Sequence, residues 1–522
     1  MKSVFCSFFG AVYGTVFSVI IAILLFAENI SYPCKKEFLL SNGIIFSVVI
    51  IILLMGIGLG YWLKRGNRLL NVCLALDVDK LVLAATVILF LGQCYVFYNI
   101  FFISGWDTRV IRDFVSILMD NGDKSGVNAY YSRYPNNLAM SYFFLFLQNL
   151  NNQYGIFNGV YSYMCVVVLN CAINSVSCWL SYKTAKIFVS PMFAVSAFVL
   201  CVLSVGISGW SVICYSDALA LFFPILSVFL YCKEYKRIWA KRIGFLASGF
   251  VSAVGYFVKP QCLFVLIAIV ILEILKLAGK FSFKTVLRQI AVCLVAVTVF
   301  GITNISLNSL NKKYDLVINN EKSFGFAHFL MLGANEEKSG VYSEDDVSFS
   351  NSFSTSKERS KANLKVFKER VSNMKGNVFT HLMKKMLVSF NDGTFAWGNE
   401  GYFFLSVSEN INSKIAPFLK SIYCDGHRFI YFATFQQFVW FFILICSAFS
   451  SLSKKALCDR HKLSLIWIVL LGFVLYEVLF EVRARYVYIF VPLLCVLAPL
   501  GIRNMSIQMS EILSRIKIKL KG

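Results

Sequence analysis

The sequence predicts an all-α polytopic membrane protein of about twelve transmembrane helices, with two external loop regions carrying amphipathic helices. Three observations predict it. Stretches such as 44–62, 81–103 and 243–258 contain no charged residue, and about 20 apolar helical residues cross the hydrocarbon of a bilayer. The 522 residues are 58% hydrophobic, with 51 phenylalanines, and only 15% charged. A soluble domain carries about 25% charge. The net charge of +22 is concentrated in alternate short gaps between the apolar stretches, the pattern of cytoplasmic loops. Helices are the expected form because backbone groups in lipid must be satisfied within their own segment.

The first span, at about 4–27, has no small-residue cleavage site before Glu28 and is expected to be retained. Spans at 42–62 and 81–103 follow and bring the chain to the outer face. The first external loop is 104–155. Six spans come next, at 156–180, 191–208, 213–232, 243–258, 261–279 and 289–306. A hydrophilic external region occupies 307–428, and spans at 429–449, 464–480 and 486–502 lead to a basic tail. The chain thus divides into two N-terminal helices (1–80), a transmembrane module (81–306), the external region (307–428) and a C-terminal part (429–522). The segment 138–150 is apolar but too short to cross. It is expected to be interfacial or re-entrant. Before it, Val110, Ile111, Phe114, Val115 and Leu118 recur at helical spacing, with Arg112 and Asp113 facing water.

The basic gaps hold Lys64, Arg65 and Arg68; Lys183 and Lys186; Lys233, Lys236, Arg237, Lys241 and Arg242; Lys276, Lys280, Lys284 and Arg288; and Lys454, Lys455, Arg460 and Lys462. The tail adds Arg503, Arg515, Lys517, Lys519 and Lys521. With twelve spans all these gaps fall inside and both long loops fall outside. The charge is therefore assigned to topology, and no nucleic-acid partner is expected. Within 307–428, Thr355 and Glu358 fit a capping box, followed by Leu364, Phe367, Val371 and Met374 on one face. A second run has Leu382, Met383, Met386, Leu387 and Phe390 beside Lys384 and Lys385. Such helices either lie in the headgroup layer or pack on each other. Most of the 16 cysteines lie within spans, and none is clustered with histidine at zinc spacing.

Charges at the ends of apolar helices are costly and mark candidate sites. Asp107, beside Trp106, opens the first loop, where a carboxylate serves as a general base, a helix cap, or a partner for Arg109 or Arg112. Tyr130, Tyr131, Arg133, Tyr134, Asn136 and Asn137 interleave rings and amides, which suit sugars and an interfacial belt equally. Tyr215 and Asp217 pair with Lys259 and Gln261 as a third group. Lys259, in a short hairpin, neutralises a lipid phosphate or snorkels to headgroups. The fourth group is Glu477, Glu481, Arg483, Arg485 and Tyr486. If the helix continues, Glu477/Glu481 and Glu481/Arg485 are i, i+4 pairs; the arginines suit either an ion-pair knot or a phosphate. No nucleotide-binding or hydrolase motif is present.

These motifs together resemble the GT-C superfamily of membrane glycosyltransferases, most closely its protein-mannosyltransferase-like branch, which uses polyprenyl-phosphate sugars. The resemblance rests on Trp106-Asp107; Tyr131-Ser132-Arg133-Tyr134-Pro135-Asn136-Asn137; Tyr256-Phe257-Val258-Lys259-Pro260-Gln261; and Glu481-Val482-Arg483-Ala484-Arg485-Tyr486. The stretches His328-Phe329-Leu330-Met331-Leu332-Gly333 and Asn391-Asp392-Gly393-Thr394-Phe395-Ala396-Trp397-Gly398 are similar to bacterial Gram-positive members. Together they cover about residues 80–500. Two departures stand out: Thr108 follows Asp107 where the family often has a second acid, and the loop follows the third span instead of the first.

The resemblance implies a GT-C-like transferase with its site on the outer face. It would move a sugar from a polyprenyl-phosphate donor to a cell-surface glycopolymer, such as a teichoic acid or wall polysaccharide. Asp107 would be the base. Lys259, Arg485 and Arg483 would hold the donor phosphate. Trp106, Arg133, Tyr134, Asn136, Tyr215, Asp217, Gln261 and Glu481 would contact substrate. No cofactor is expected, a divalent metal being left open; membrane lipids are the other partner. The alternative is a transporter or flippase of a lipid-linked saccharide, which would bind near the midplane between repeated halves. No internal repeat is visible. The topology predicts that single cysteines placed at Ser125 or Ser356, in a cysteine-free background, react with an impermeant thiol reagent in intact cells. One placed at Arg237 should not; labelling at Arg237 alone would invert the map.

Overall fold

The computed structural model describes residues 2–65, 77–279, 281–399, 403–407, 413–424, 426–453 and 459–519. Arg68, Lys280, Lys454, Lys455 and Lys521, counted among the basic gaps, lie outside the described residues. The chain is an all-helical polytopic membrane protein. Among the described residues, nine helices are long and apolar enough to cross a membrane. The expected spans at 191–208 and 213–232 are the shorter apolar helices Pro191–Gly206 and Ser216–Cys232. The expected span at 243–258 is the helix Ile238–Tyr256, whose Lys241 and Arg242 lower its apolar character.

Burial ranks the helices from axis to periphery. In the last span, Ala484–Ile512, 89% of the apolar window is buried within the protein, against 17% in Phe283–Lys313. The final helix therefore forms the axis, and the Phe283–Lys313 helix presents its apolar side outward, where lipid satisfies it. Gly501 allows the axis to meet its neighbour Phe429–Phe449 at backbone distance. A Cβ there would lie 1.7 Å from the Cys446 carbonyl oxygen. Small residues permit this kind of close helix approach in membranes.

Several boundaries differ from expectation for local reasons. The span expected at 156–180 is the helix Met164–Ala185. Gly155 and Gly159 adopt φ of 60° and 59°, conformations that glycine takes at little cost. They separate this helix from the preceding Leu138–Tyr154 helix. The Phe283–Lys313 helix runs 31 residues, so it extends beyond the expected end at 306. The tail expected to be a basic extension is the end of the helix Val491–Lys519.

The segment expected to be interfacial or re-entrant is the 17-residue Leu138–Tyr154 helix, which packs on the Trp106–Asp120 helix. The latter buries Ile111, Phe114, Val115 and Leu118, as their spacing requires. Arg112 and Asp113, expected to face water, are only partly exposed and pair with each other at 3.1 Å.

Of the two amphipathic helices of the 307–428 region, the first buries only Met374 of its apolar stripe, whereas the second buries Met386, Leu387 and Phe390. In Ser356–Met374 the Thr355 side chain accepts from the Glu358 N–H at 3.3 Å, the capping contact expected. The inward residues, however, include Arg359 and Asn363, whereas Leu364 and Val371 are exposed. Arg359 decides the orientation, because its guanidinium donates to the carbonyls of Ser350, Glu321, Ser323 and Phe353. The second helix, Val378–Phe390, buries Lys385 completely. Its ammonium donates to the carbonyls of Gly333, Val478 and Phe480 at 2.9, 2.9 and 2.8 Å. This inward face is therefore a packed one, and Lys385 is not a headgroup contact. Burial pushes the Lys385 amine down to about 7, with Glu477 and Glu481 opposing. The 391–398 stretch is a buried turn, in which the Asp392 carboxylate accepts from Thr394 and Ala396.

Gly501→Ala should lower the thermal unfolding midpoint in detergent, at a cost of about 1–3 kcal/mol for overpacking. Gly472→Ala is the control. No atom lies within 4 Å of a Cβ there, so its midpoint should be unchanged or higher.

Candidate functional site

A buried carboxylate gathers the site. The chain runs extended through Tyr215 and turns into helix at Ser216, which places Asp217 in the first turn with no exposed surface. Lys259 follows the helix Ile238–Tyr256 and precedes Pro260. Its backbone is extended, with φ −152° and ψ 119°, as a residue before proline favours. That conformation delivers its ammonium to Asp217 Oδ1. Arg485 arrives from the 3₁₀ turn Ala484–Tyr486 and donates to Asp217 Oδ2 at 2.9 Å. Two cations thus share one carboxylate, each oxygen taking one. Burying such charges is tolerable only because they are paired.

Rings enclose the cations. The Arg485 guanidinium lies 5.0 Å from the Trp106 ring centroid, 5.3 Å from Tyr215 and 5.2 Å from Tyr486. The Lys259 ammonium lies 4.8 Å from the Tyr486 ring. Desolvated contacts of this kind are attractive through the ring quadrupole. Tyr215 links the group to Asp107: its hydroxyl donates to Asp107 Oδ2 at 3.1 Å. Asp107 sits in the first turn of the Trp106–Asp120 helix, whose cap is Gly105. The capping alternative for Asp107 is therefore excluded by the geometry. Trp106 packs against aromatic neighbours. Its ring meets Tyr215 edge-on at 4.7 Å and stacks on Phe403 at 6.4 Å, while its indole N–H donates to Ser104 Oγ at 2.6 Å.

The fourth sequence cluster is not one continuous helix: Glu477 lies in Arg460–Leu479 and Arg485 in the Ala484–Tyr486 turn, with an extended segment between them. The helix ends before Glu481, and Phe480 is extended, so neither i, i+4 pair forms. Glu481 instead takes the Arg483 Nε at 3.2 Å. The strand-like segment is strapped to the 307–428 region: Glu481 N–H donates to Phe329 O at 3.1 Å and Val482 N–H to Gly340 O at 2.9 Å. Lys385 holds the two carbonyls just before it. Gly333 makes the approach possible, because a Cβ there would lie 2.4 Å from the Leu479 carbonyl oxygen.

Other expected residues divide. Burial, then the nearby Asp107 charge, raises the Tyr134 hydroxyl well above its ordinary range, with Glu481 contributing. Tyr134 therefore shares the field of both acids. Gln261 is buried, and its Oε1 has no hydrogen-bond partner among the described residues. Arg133 donates to the Ala129 carbonyl of its own helix. Asn136 lines a cavity of 780 Å³ with Tyr256, Phe257, Asn304, Asn308 and Asn311. Neither Arg133 nor Asn136 is bonded to Asp217.

One neighbour, Tyr342, was outside the expected set, and another, Glu477, had no role assigned. Tyr342 is 44% exposed and lies under Arg483, 5.9 Å from its guanidinium. Its hydroxyl is raised by burial, then by Glu344, Asp107 and Glu481. No motif surrounds it, so sequence offered no signal. Glu477 was noticed as a charge near a helix end. It is fully buried, and neither oxygen has a hydrogen-bond partner among the described residues. Among the described residues, no group of three or more His, Cys, Asp or Glu is placed to hold a metal ion.

A family model described as a conserved hypothetical integral membrane protein matches residues 2–506. A search of curated proteins found no match.

The shared carboxylate predicts an asymmetric mutational response. Asp217→Asn removes the carboxylate that two buried cations share. Removing one member of a buried pair costs about 3–5 kcal/mol, and the thermal unfolding midpoint of the detergent-solubilised protein should fall accordingly. Tyr215→Phe removes one hydrogen bond and should cost about 1 kcal/mol. Equal effects from the two substitutions would refute a structural role for the Asp217 charge.

Proposed function

The chain belongs to the family of conserved hypothetical integral membrane proteins, and within it we propose a membrane glycosyltransferase using a polyprenyl-phosphate sugar. The acceptor is a cell-surface polymer, a teichoic acid or wall polysaccharide, and the site faces outward. One observation carries this reading. Asp107, a carboxylate able to act as base, is a single tyrosine away from Arg485, which shares Asp217 with Lys259: Tyr215 bonds Asp107 at 3.1 Å and its ring lies 5.3 Å from Arg485.

The chemistry follows from those positions. An acceptor hydroxyl attacks the anomeric carbon, and its proton passes to Asp107. The bond from that carbon to the phosphate oxygen breaks, and its electron pair stays on the departing polyprenyl phosphate. The phosphate gains one negative charge. Lys259 and Arg485 stabilise that developing charge, which accelerates the step because they are already in place. Asp217 keeps the two cations together before the donor arrives, leaving the group with one net positive charge. Tyr215 orients Asp107. Arg483 sits beside them with Glu481, and Tyr134 and the half-exposed Tyr342 offer ring faces for a sugar. A single displacement inverts the anomeric configuration.

Asp107→Asn keeps the hydrogen bond to Tyr215 but cannot take the proton. Purified variant should insert and bind donor, yet transfer sugar about 10²–10⁴-fold more slowly. Lys259→Ala and Arg485→Ala should raise the donor KM. Asp113→Asn should be milder, since Asp113 pairs with Arg109 and Arg112. Near-normal turnover by Asp107→Asn would remove the assignment. Movement of a lipid-linked saccharide across proteoliposomes without sugar transfer would make the chain a transporter instead.

A further inference from the structure

A second cavity lies at the other end of the same helices. Lys259 follows the Ile238–Tyr256 helix, and Lys241 and Arg242 stand near its start. Nineteen helical residues span about 28 Å, close to the hydrocarbon thickness of a bilayer. Around Lys241 and Arg242 the protein encloses a cavity of 820 Å³. Its walls come from the end of Phe222–Cys232, the end of Phe264–Gly279, and the starts of Ile238–Tyr256, Phe283–Lys313 and Arg460–Leu479.

The lining is cationic in excess. Six cations, Lys241, Arg242, Lys276, Lys284, Arg288 and Lys462, face two carboxylates, Glu273 and Asp459. The carboxylates are already engaged. Glu273, 1% exposed, takes Lys276, Arg288 at 2.9 Å and the Tyr231 hydroxyl at 3.1 Å. Asp459 caps its helix by accepting from the His461 and Lys462 N–H groups, and Lys462 also meets Glu234 at 3.1 Å. Among the described residues, Lys241, Arg242 and Lys284 have no carboxylate within ion-pair distance. Two of the helices that start here, Ile238–Tyr256 and Phe283–Lys313, have no acidic residue in their first turns and no side-chain cap, so their positive dipole ends add to the same field. The rest of the wall carries an apolar stretch, Ile238, Phe245, Leu246, Leu287 and Ala291, beside Tyr231, Tyr235, Thr285 and His461.

The positive-inside rule accounts for cations in loops. It does not require them to converge on a cavity, nor to be organised by a buried glutamate at its wall. We infer that this cavity is a binding site for a phosphate group, carried by a bilayer lipid whose chains lie along the Phe245–Leu246–Leu287 wall. Basic pockets between transmembrane helices hold anionic headgroups by this chemistry. A soluble phosphate compound would use the same cations and leave the apolar wall idle. The inference is independent of the transferase reading, since it uses none of that site's residues.

The test uses the full chain in neutral detergent, with short-chain phosphatidylglycerol, phosphatidylcholine and inorganic pyrophosphate as probes. Binding is read by native mass spectrometry and by the shift in thermal unfolding. Phosphatidylglycerol should bind about tenfold or more tightly than phosphatidylcholine, because several cations engage its anionic headgroup. The double variant Arg242→Glu/Lys284→Glu should abolish that preference. Its unfolding midpoint without lipid should be unchanged, because neither side chain has an ion-pair partner to lose. Pyrophosphate protection equal to that of phosphatidylglycerol, lost in the same variant, would keep the phosphate site and assign it to a soluble compound. Equal binding of both lipids, or a preference that survives charge reversal, would overturn the inference and leave these cations a topological role alone.

Discussion

Asp217 is the constraint on which the candidate site depends. A carboxylate with no exposed surface must be matched by positive charge. Here it is matched twice, by Lys259 and Arg485. The pairing joins three segments that are distant in sequence: the start of Ser216–Cys232, the turn after Ile238–Tyr256, and the turn before the final helix. None could move alone without stranding a buried charge. The surrounding rings of Trp106, Tyr215 and Tyr486 exclude water from the group, which strengthens every charge interaction inside it.

A second device sets where Arg485 can be. The Arg460–Leu479 helix stops, and the segment after it is extended toward the axis. Lys385 caps two of the freed carbonyls, those of Val478 and Phe480, and joins them to Gly333. A protonated lysine has three donors, and three carbonyls meet it. Buried main-chain groups must be satisfied, so the lysine both ends the helix cleanly and locks the 307–428 region to the bundle. The long hydrophilic region is thus part of the site's framework, reaching it through Gly333, Gly340 and Tyr342.

The two ends of the helix Ile238–Tyr256 present different electrostatic solutions. At one end, two cations share one fully buried acid in a closed, aromatic setting. At the other, six cations surround an open cavity with two acids already engaged. The first arrangement is preorganised and carries one net positive charge. The second retains unmatched positive charge beside an apolar wall, a combination that suits an anionic amphiphile.

The sequence by itself determined that the chain is helical and crosses a membrane, because apolar length and sparse charge are local properties that lipid responds to directly. It also determined the Thr355–Glu358 cap and the buried face of Trp106–Asp120, both consequences of spacing along one helix. The candidate residues Asp107, Asp217, Lys259 and Arg485 were legible as charges at helix ends, where their cost marks them. Their partners were not. The sequence suggested that Glu481 pairs with Arg485 one turn on, whereas Arg485 crosses to Asp217 and Glu481 takes Arg483. It left the Lys385 helix either in the headgroup layer or packed, and Lys385 is buried; it set Trp106 beside Asp107, and the ring covers an arginine. Tyr342 carried no signal at all. Only the tertiary structure decided these points, because a buried charge is matched by whichever opposite charge packing brings within reach, and packing is settled among helices far apart in the chain.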